Sequence, residues 1–250
     1  MPSALAQLLL PAECLVCHGL LAARDAEGIV CPVCRHRWRP VRPPWCERCG
    51  QPEPHFGPCR LCADWPSNLR AVRSAVWLAD GARAAVHALK YGGLPRIADD
   101  LAAAMPSSAF PTDDSSVLVP IPLAPKRLRE RGYNQSEALA AALGRRWGVP
   151  VARDLLARVR ETATQTALTP ETRLANVAGA FEARIADCGL RIENTPGKSA
   201  IRNPQSAIGL VDDVFTTGAT LAEAARALQQ AGAHTVFGVT FGRAIIPDFT

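Results

Sequence analysis

Two groupings of residues in this chain could do chemistry. The first is "LVDDVFTTGATL" (residues 210–221), where an apolar run leads into two adjacent carboxylates, Asp212 and Asp213, and then into a small-residue loop. Gly218 lets backbone amides approach a ligand, and Thr216, Thr217 and Thr220 add hydroxyls where a helix begins, the composition of an anion site. No Lys follows Gly218 as in a Walker loop, and the chain has no GxGxxG that would mark a dinucleotide site. A phosphate roughly 4 Å from either carboxylate would be repelled by about 4 kcal/mol at an effective dielectric near 20, so the acids should face ribose hydroxyls or Mg²⁺ instead. The pattern predicts a phosphorylated sugar, its phosphate in the Thr/Gly loop and its hydroxyls on the two acids.

The second grouping is cysteine. Eight of the nine cysteines form four CxxC pairs: Cys14/Cys17, Cys31/Cys34, Cys46/Cys49 and Cys59/Cys62. The regular gap and the absence of an export signal favour thiolates on Zn²⁺ over a disulfide framework. Nearest-pair grouping makes one site from Cys14, Cys17, Cys31 and Cys34 and another from Cys46, Cys49, Cys59 and Cys62; a crossed grouping uses the same eight residues. His18, His36 and His55 lie beside these pairs and read as surface residues, and Cys188 stands alone as an idle thiol.

The elements that must position these groups divide into two parts. The cysteine-rich part, residues 1–66, is dense in Pro, Arg and Trp and has little periodicity, so the metal must supply most of its folding free energy. From the boundary near "DWPSNLR" (64–70) onward, residues 67–250 alternate strand and helix. Strands are expected at 71–78, 116–122, 207–213 and 234–242, and helices at 81–91, 96–105, 134–147 and 220–231. Such alternation argues for a parallel sheet flanked by helices, with ligands at the carboxyl ends of its strands.

Five blocks in order carry a resemblance: the CxxC-rich start, "ALKYGG" (88–93), "VPIPLAPKRLRERGYNQSEALA" (119–140), "RVRETATQTALTPETRLANVAGAF" (158–181) and "LVDDVFTTGATL". The last resembles the phosphoribosyl-pyrophosphate (PRPP) signature of type I phosphoribosyltransferases, and nearly the whole chain is similar to the ComF family, linked to competence and DNA uptake. The resemblance implies an α/β fold of the type I phosphoribosyltransferase kind behind a double zinc ribbon. It implies that Asp212 and Asp213 meet the ribose hydroxyls, directly or through Mg²⁺-bound water, and that Phe215, Thr216, Thr217, Gly218, Ala219 and Thr220 cradle the 5′-phosphate. Arg131, Gly132, Tyr133, Asn134 and Gln135 then form a pyrophosphate loop, with Asn134 also reading as a helix N-cap. Residues 158–173 become a lid offering Arg158, Arg160, Thr164, Gln165 and Arg173, with Arg160 and Gln165 in catalytic roles. Lys90 and Tyr91 fall on the acceptor side, or Lys90 simply ends a solvated helix.

Charge agrees with an anionic ligand. Residues 126–173 hold ten Lys or Arg against five Asp or Glu, an excess equal to the whole chain's formal +5. Residues 1–62 have seven Arg and five acids, and two filled Zn(Cys)₄ sites would turn them to about −2, so overall basicity says little about DNA. Between 181 and 208 the chain departs from the family with a polar stretch, "EARIADCGLRIENTPGKSAIRNPQSA", expected as a surface loop or hairpin. With no apolar run long enough to span a bilayer, the expected location is cytoplasmic. Two function classes follow. One is an enzyme that transfers phosphoribose from Mg²⁺·PRPP and releases pyrophosphate, the favoured reading. The other is a competence protein that keeps the fold and the phosphate site and binds single-stranded DNA.

Overall fold

The computed structural model describes residues 12–22, 28–52, 59–161, 177–184 and 207–245. His55, Thr164, Gln165, Arg173, Cys188 and residues 185–206 of the polar stretch lie outside them. After a short helix α1 (Pro32–His36), the order is β1 (Leu69–Trp77), α2 (Asp80–Tyr91), α3 (Ile97–Ala103), β2 (Val117–Pro120), α4 (Pro125–Arg131) and α5 (Gln135–Trp147). There follow β3 (Leu156–Arg158), β4 (Phe181–Ala183), β5 (Ile208–Phe215), α6 (Ala219–Gln230) and β6 (Val236–Arg243). Four strands form a sheet in the order β1-β6-β5-β2, every neighbouring pair parallel.

Strand side chains alternate between two faces, and each face has its own apolar core. On one face Leu118, Val211, Val239 and Phe241 pack under α2, α3 and α5. On the other Val117, Val119, Ile208, Leu210 and Val236 pack under α6. Both faces are covered, which is why these strands read as near-continuous apolar runs. The helices meet them through apolar stripes: Ala82, Ala85, Val86 and Leu89 of α2, Leu139, Ala140 and Leu143 of α5, and Leu221, Ala224, Ala225 and Leu228 of α6 are all buried.

The cysteine-rich segment straddles the β1 edge of this sheet. Its middle lies along the free edge, where Trp77 N donates to Arg39 O (2.8 Å) and Val41 N to Ala75 O (3.0 Å), closing hydrogen-bonding groups that would otherwise be open. Cys14, Cys34 and Trp38 join the core of the first face, and Cys49, Cys62 and Trp65 that of the second. Trp38 meets Phe241 edge to face at 5.0 Å, a contact worth about 0.5–1.5 kcal/mol beyond its buried area. Asp100 of α3 accepts from Ile29 N and Val30 N and pairs with Arg35 at 3.1 Å, tying the first cysteine turn to the helices. Packing on the sheet therefore shares with the metal the work of folding this segment.

Two elements lie where the sequence was read as loop or lid. Residues 125–131 form α4, with Pro125 at its start and Gly132 ending it in the left-handed conformation (φ 80°). Leu156–Arg158 pairs antiparallel with Phe181–Ala183, so the segment read as a lid (158–173) leaves from one strand of a two-stranded ribbon whose other strand lies further along the chain.

Candidate functional site

A cleft of about 390 Å³ opens at the carboxyl end of the sheet, lined by β5 and the loop after it, by Ile121 and Pro122 beyond β2, and by α2 and α4. This is where parallel α/β sheets place ligands, because strand ends and helix starts converge there. β5 delivers Asp212 and Asp213 to the cleft, and Phe215, Thr216, Gly218, Ala219 and Thr220 continue its wall into α6.

The two acids have different surroundings. Asp213 is buried, and its Oδ2 lies 2.6 Å from Lys90 Nζ, which the last turn of α2 brings across the cleft. Burial alone would lower the Lys90 ammonium, but the carboxylates of Asp213 and, further off, Asp212 outweigh it and hold the group above its ordinary value. Asp212 is half-buried, and its Oδ1 accepts from Ser136 Oγ (3.0 Å) and from Asp213 N (2.9 Å). Burial, and then the negative charge of Asp213, push the Asp212 carboxyl up to about 7. The pair thus combines one acid held as an ion pair with one that gains from any added cation or hydroxyl donor.

The loop takes its shape from what lies behind it. Gly218 adopts φ 77°, and a Cβ there would fall 2.3 Å from Trp65 Cζ2, so the position needs glycine both for its backbone and for its neighbour. Thr217 is buried with Oγ1 3.4 Å from Ala219 N, whereas Thr216 and Thr220 line the cleft. α6 begins in this wall, with Ala219, Thr220 and Leu221 lining the cleft, so the positive end of the helix dipole lies beside it.

Cations surround the acids. Arg127 and Arg131, one helical turn apart on α4, line the cleft together with Arg83 and His87 of α2 and Arg158 of β3. Burial and then the charge of Arg127 lower the Arg158 guanidinium, with Asp212 acting against them. Arg131 stacks over the Tyr91 ring at 5.2 Å and donates to Gln135 Oε1.

Other expected residues act as scaffold. Asn134 caps α5, its Oδ1 accepting from Ser136 N (3.0 Å) while its Nδ2 donates to Ile121 O (3.0 Å). Tyr133 donates its hydroxyl to Leu89 O at the end of α2, and Gly132 ends α4. Arg160 donates to Ala178 O in the loop that joins the β3/β4 ribbon, outside the cleft wall.

Sequence reasoning did not single out Arg83, His87, Arg127 or Ser136 for the cleft. The i,i+4 spacing of Arg127 and Arg131 was the available signal, hidden while the stretch was read as a loop. Ser136 carried none, since its link to Asp212 crosses from α5 to β5.

The cysteines fall into two clusters, Cys14, Cys17, Cys31 and Cys34 in one and Cys46, Cys49, Cys59 and Cys62 in the other, with the sulfurs of each within 4.8 Å of one another. Sulfurs at about 2.3 Å from a tetrahedral ion stand about 3.8 Å apart. Cys17 and Cys31 are 3.8 Å apart, Cys46 and Cys62 3.8 Å, and Cys49 and Cys59 3.5 Å, all far beyond a disulfide bond. In the second cluster burial and then the neighbouring sulfurs push the Cys62 thiol up to about 12, and burial raises Cys49 as well, so a cation is what lets four thiolates share that space. Each cluster fits one Zn²⁺, and the grouping is the uncrossed one.

Fold and site together define a class: an α/β protein with a parallel sheet, an acid pair and a Thr/Gly loop at its carboxyl edge, and a cysteine-rich ribbon across one flank. The double zinc ribbon domain matches residues 5–63. The chain is 32% identical over 238 residues to the DNA utilization protein YhgH of Salmonella typhi, covering 92% of this chain and 96% of that one. It is 29% identical over 212 residues to competence protein ComFC of Bacillus subtilis (81% and 79% covered), and 32% over 119 residues to competence protein F of Haemophilus influenzae (48% and 46%). The chain belongs to the ComF family of competence and DNA-utilization proteins. Among the described residues no helix is long and apolar enough to cross a membrane.

Proposed function

We propose that this protein binds Mg²⁺·PRPP, or a close phosphoribosyl relative, in the β5 cleft, and transfers phosphoribose with release of pyrophosphate in the service of DNA utilisation. One observation carries the reading: the ion-paired Asp213, the Ser136-held Asp212 and the Thr/Gly loop on one strand face Arg127, Arg131 and Arg158 across a single cleft. In this reading the 5′-phosphate sits at the start of α6, the ribose hydroxyls meet the two acids, and the diphosphate lies among the arginines. Negative charge grows on the pyrophosphate as its bond to the anomeric carbon breaks, and cations already in place stabilise that change. Arg160 and Gln165 belong to the lid that closes over the ligand, and residues 1–66 and 67–250 act as ribbon and catalytic domain.

The test is pyrophosphate release from Mg²⁺·PRPP across a panel of nucleobase and amine acceptors. Turnover in the wild type that falls at least tenfold in Arg158→Ala, with PRPP affinity changed less, supports transfer. PRPP bound but never turned over points to the second reading, a competence protein that binds single-stranded DNA. One feature favours that alternative: a groove of about 360 Å³ beside the first cysteine cluster, lined by Arg37, Arg39 and Trp77, offers cations and an aromatic face to a strand.

A further inference from the structure

Arg243, the last residue of β6, is 2% exposed, and among the described residues no carboxylate pairs with it. Its guanidinium donates to Cys49 O (2.9 Å) and to Gln51 Oε1 (2.7 Å), both in the turn of the second cysteine cluster, and stacks 4.3 Å from the centre of the Phe215 ring. A buried cation needs a counter-charge, and a Zn²⁺ with four thiolates carries a net −2 at that place. Phe215 opens the ligand loop, and Ala244 N donates to its carbonyl (2.8 Å).

A second path leaves the same cluster. Arg48, between Cys46 and Cys49, donates to Cys62 O (2.9 Å), Trp65 O (2.8 Å) and Pro66 O (2.9 Å). It thereby fixes Trp65, whose ring meets Phe215 edge-on at 6.1 Å and fills the space behind Gly218. Gly50, at φ 69°, makes the turn tight enough to bring the cluster against β1. The first cluster, on the other face of the sheet, is tied to α3 through Asp100.

We infer that Arg243 and Trp65 are positioning residues through which the metal-loaded second cysteine cluster holds residues 215–220 in their anion-binding shape. Among the described residues the first cluster has no such link, so the two metal sites are not equivalent: loss of the second, by oxidation or chelation, loosens the ligand loop. This inference rests on the cleft reading for its ligand but not for its geometry.

Hydrogen exchange of the amides of residues 215–222 in the full chain separates the two. Cys59→Ser, which takes away the second metal, and Arg243→Met, with both metals retained, are expected to speed exchange there at least tenfold and to weaken Mg²⁺·PRPP at least tenfold. Arg243→Lys should restore part of both. Cys17→Ser, which takes away the first metal, should leave loop exchange within twofold of wild type. If Arg243→Met does not fold, Trp65→Phe, which keeps an aromatic face but not its full reach behind Gly218, should give a smaller change of the same kind. Unchanged loop exchange in Cys59→Ser, or equal changes in Cys59→Ser and Cys17→Ser, would overturn the inference. Wild type that binds no PRPP would refute the cleft reading while leaving the exchange comparison to decide this one.

Discussion

Lys90 Nζ lies 2.6 Å from Asp213 Oδ2, so the buried acid at the head of the ligand loop has a counter-ion supplied by a different element. The pair joins the end of α2 to the end of β5 and decides how the cleft is charged. Lys90→Met should leave a buried carboxylate unpaired and cost about 2 kcal/mol in urea unfolding, less than the 3–5 kcal/mol of a fully enclosed pair because Lys90 keeps some exposure. Lys90→Met combined with Asp213→Asn should recover most of that loss, and additive losses would show that the two do not interact.

Asp212 predicts a trade of stability against binding. Its folded-state carboxyl is raised to about 7, above its ordinary value, so its contribution is full in acid and is lost as pH rises toward 7. Asp212→Asn should therefore stabilise the protein at pH 8 and change little at pH 4. Discounted for the solvent this side chain still reaches, the gain at pH 8 is about 1 kcal/mol, or 2–4 °C in Tm. The same variant should bind Mg²⁺·PRPP more weakly. Thermal unfolding at the two pH values checks the first half and a ligand titration the second.

Gly218→Ala should cost about 2–3 kcal/mol, from left-handed backbone strain and from the clash with Trp65 together. In a Trp65→Leu background only the backbone part, about 1 kcal/mol, should remain. Equal costs in both backgrounds would mean that Trp65 does not shape the loop.

The two cysteine clusters predict about two zinc per chain by elemental analysis of protein purified without chelator. Acid should release the metal, because its ligands must be deprotonated to bind it. Since Cys14, Cys34 and Trp38 lie in one core with α2, α3 and α5, chelation should lower the stability of the whole chain and not only expose the ribbon to protease. A metal-free chain that unfolds at the same urea concentration would contradict this.

Much of this arrangement was legible before folding. The buried strands announced themselves as apolar runs of five to eight residues, and the Thr/Gly loop as small residues after a paired acid. The CxxC spacing marked the eight cysteines, while the choice between the nearest-pair and the crossed grouping came only with the fold. The parts that were not legible depend on contacts between distant segments. Helix α4 was hidden because "PKRLRERG" has no apolar stripe, although Pro125 and Gly132 mark its two ends. Arg243 looked like the polar end of a strand, and its role exists only because the second cysteine turn lies over it. That the ribbon would straddle a sheet edge, with one cluster on each face, follows from pairing between Arg39, Val41 and β1 that no local pattern records.

The cleft's ligand is tested most directly by a calorimetric titration of Mg²⁺·PRPP into zinc-replete protein. One site per chain is expected in the wild type, weakened at least tenfold by Asp213→Asn and severalfold by Thr216→Ala, since these remove contacts of about 1.5–3 and 0.5–1.5 kcal/mol. Equal affinity in all three proteins, or no binding in the wild type, would contradict it.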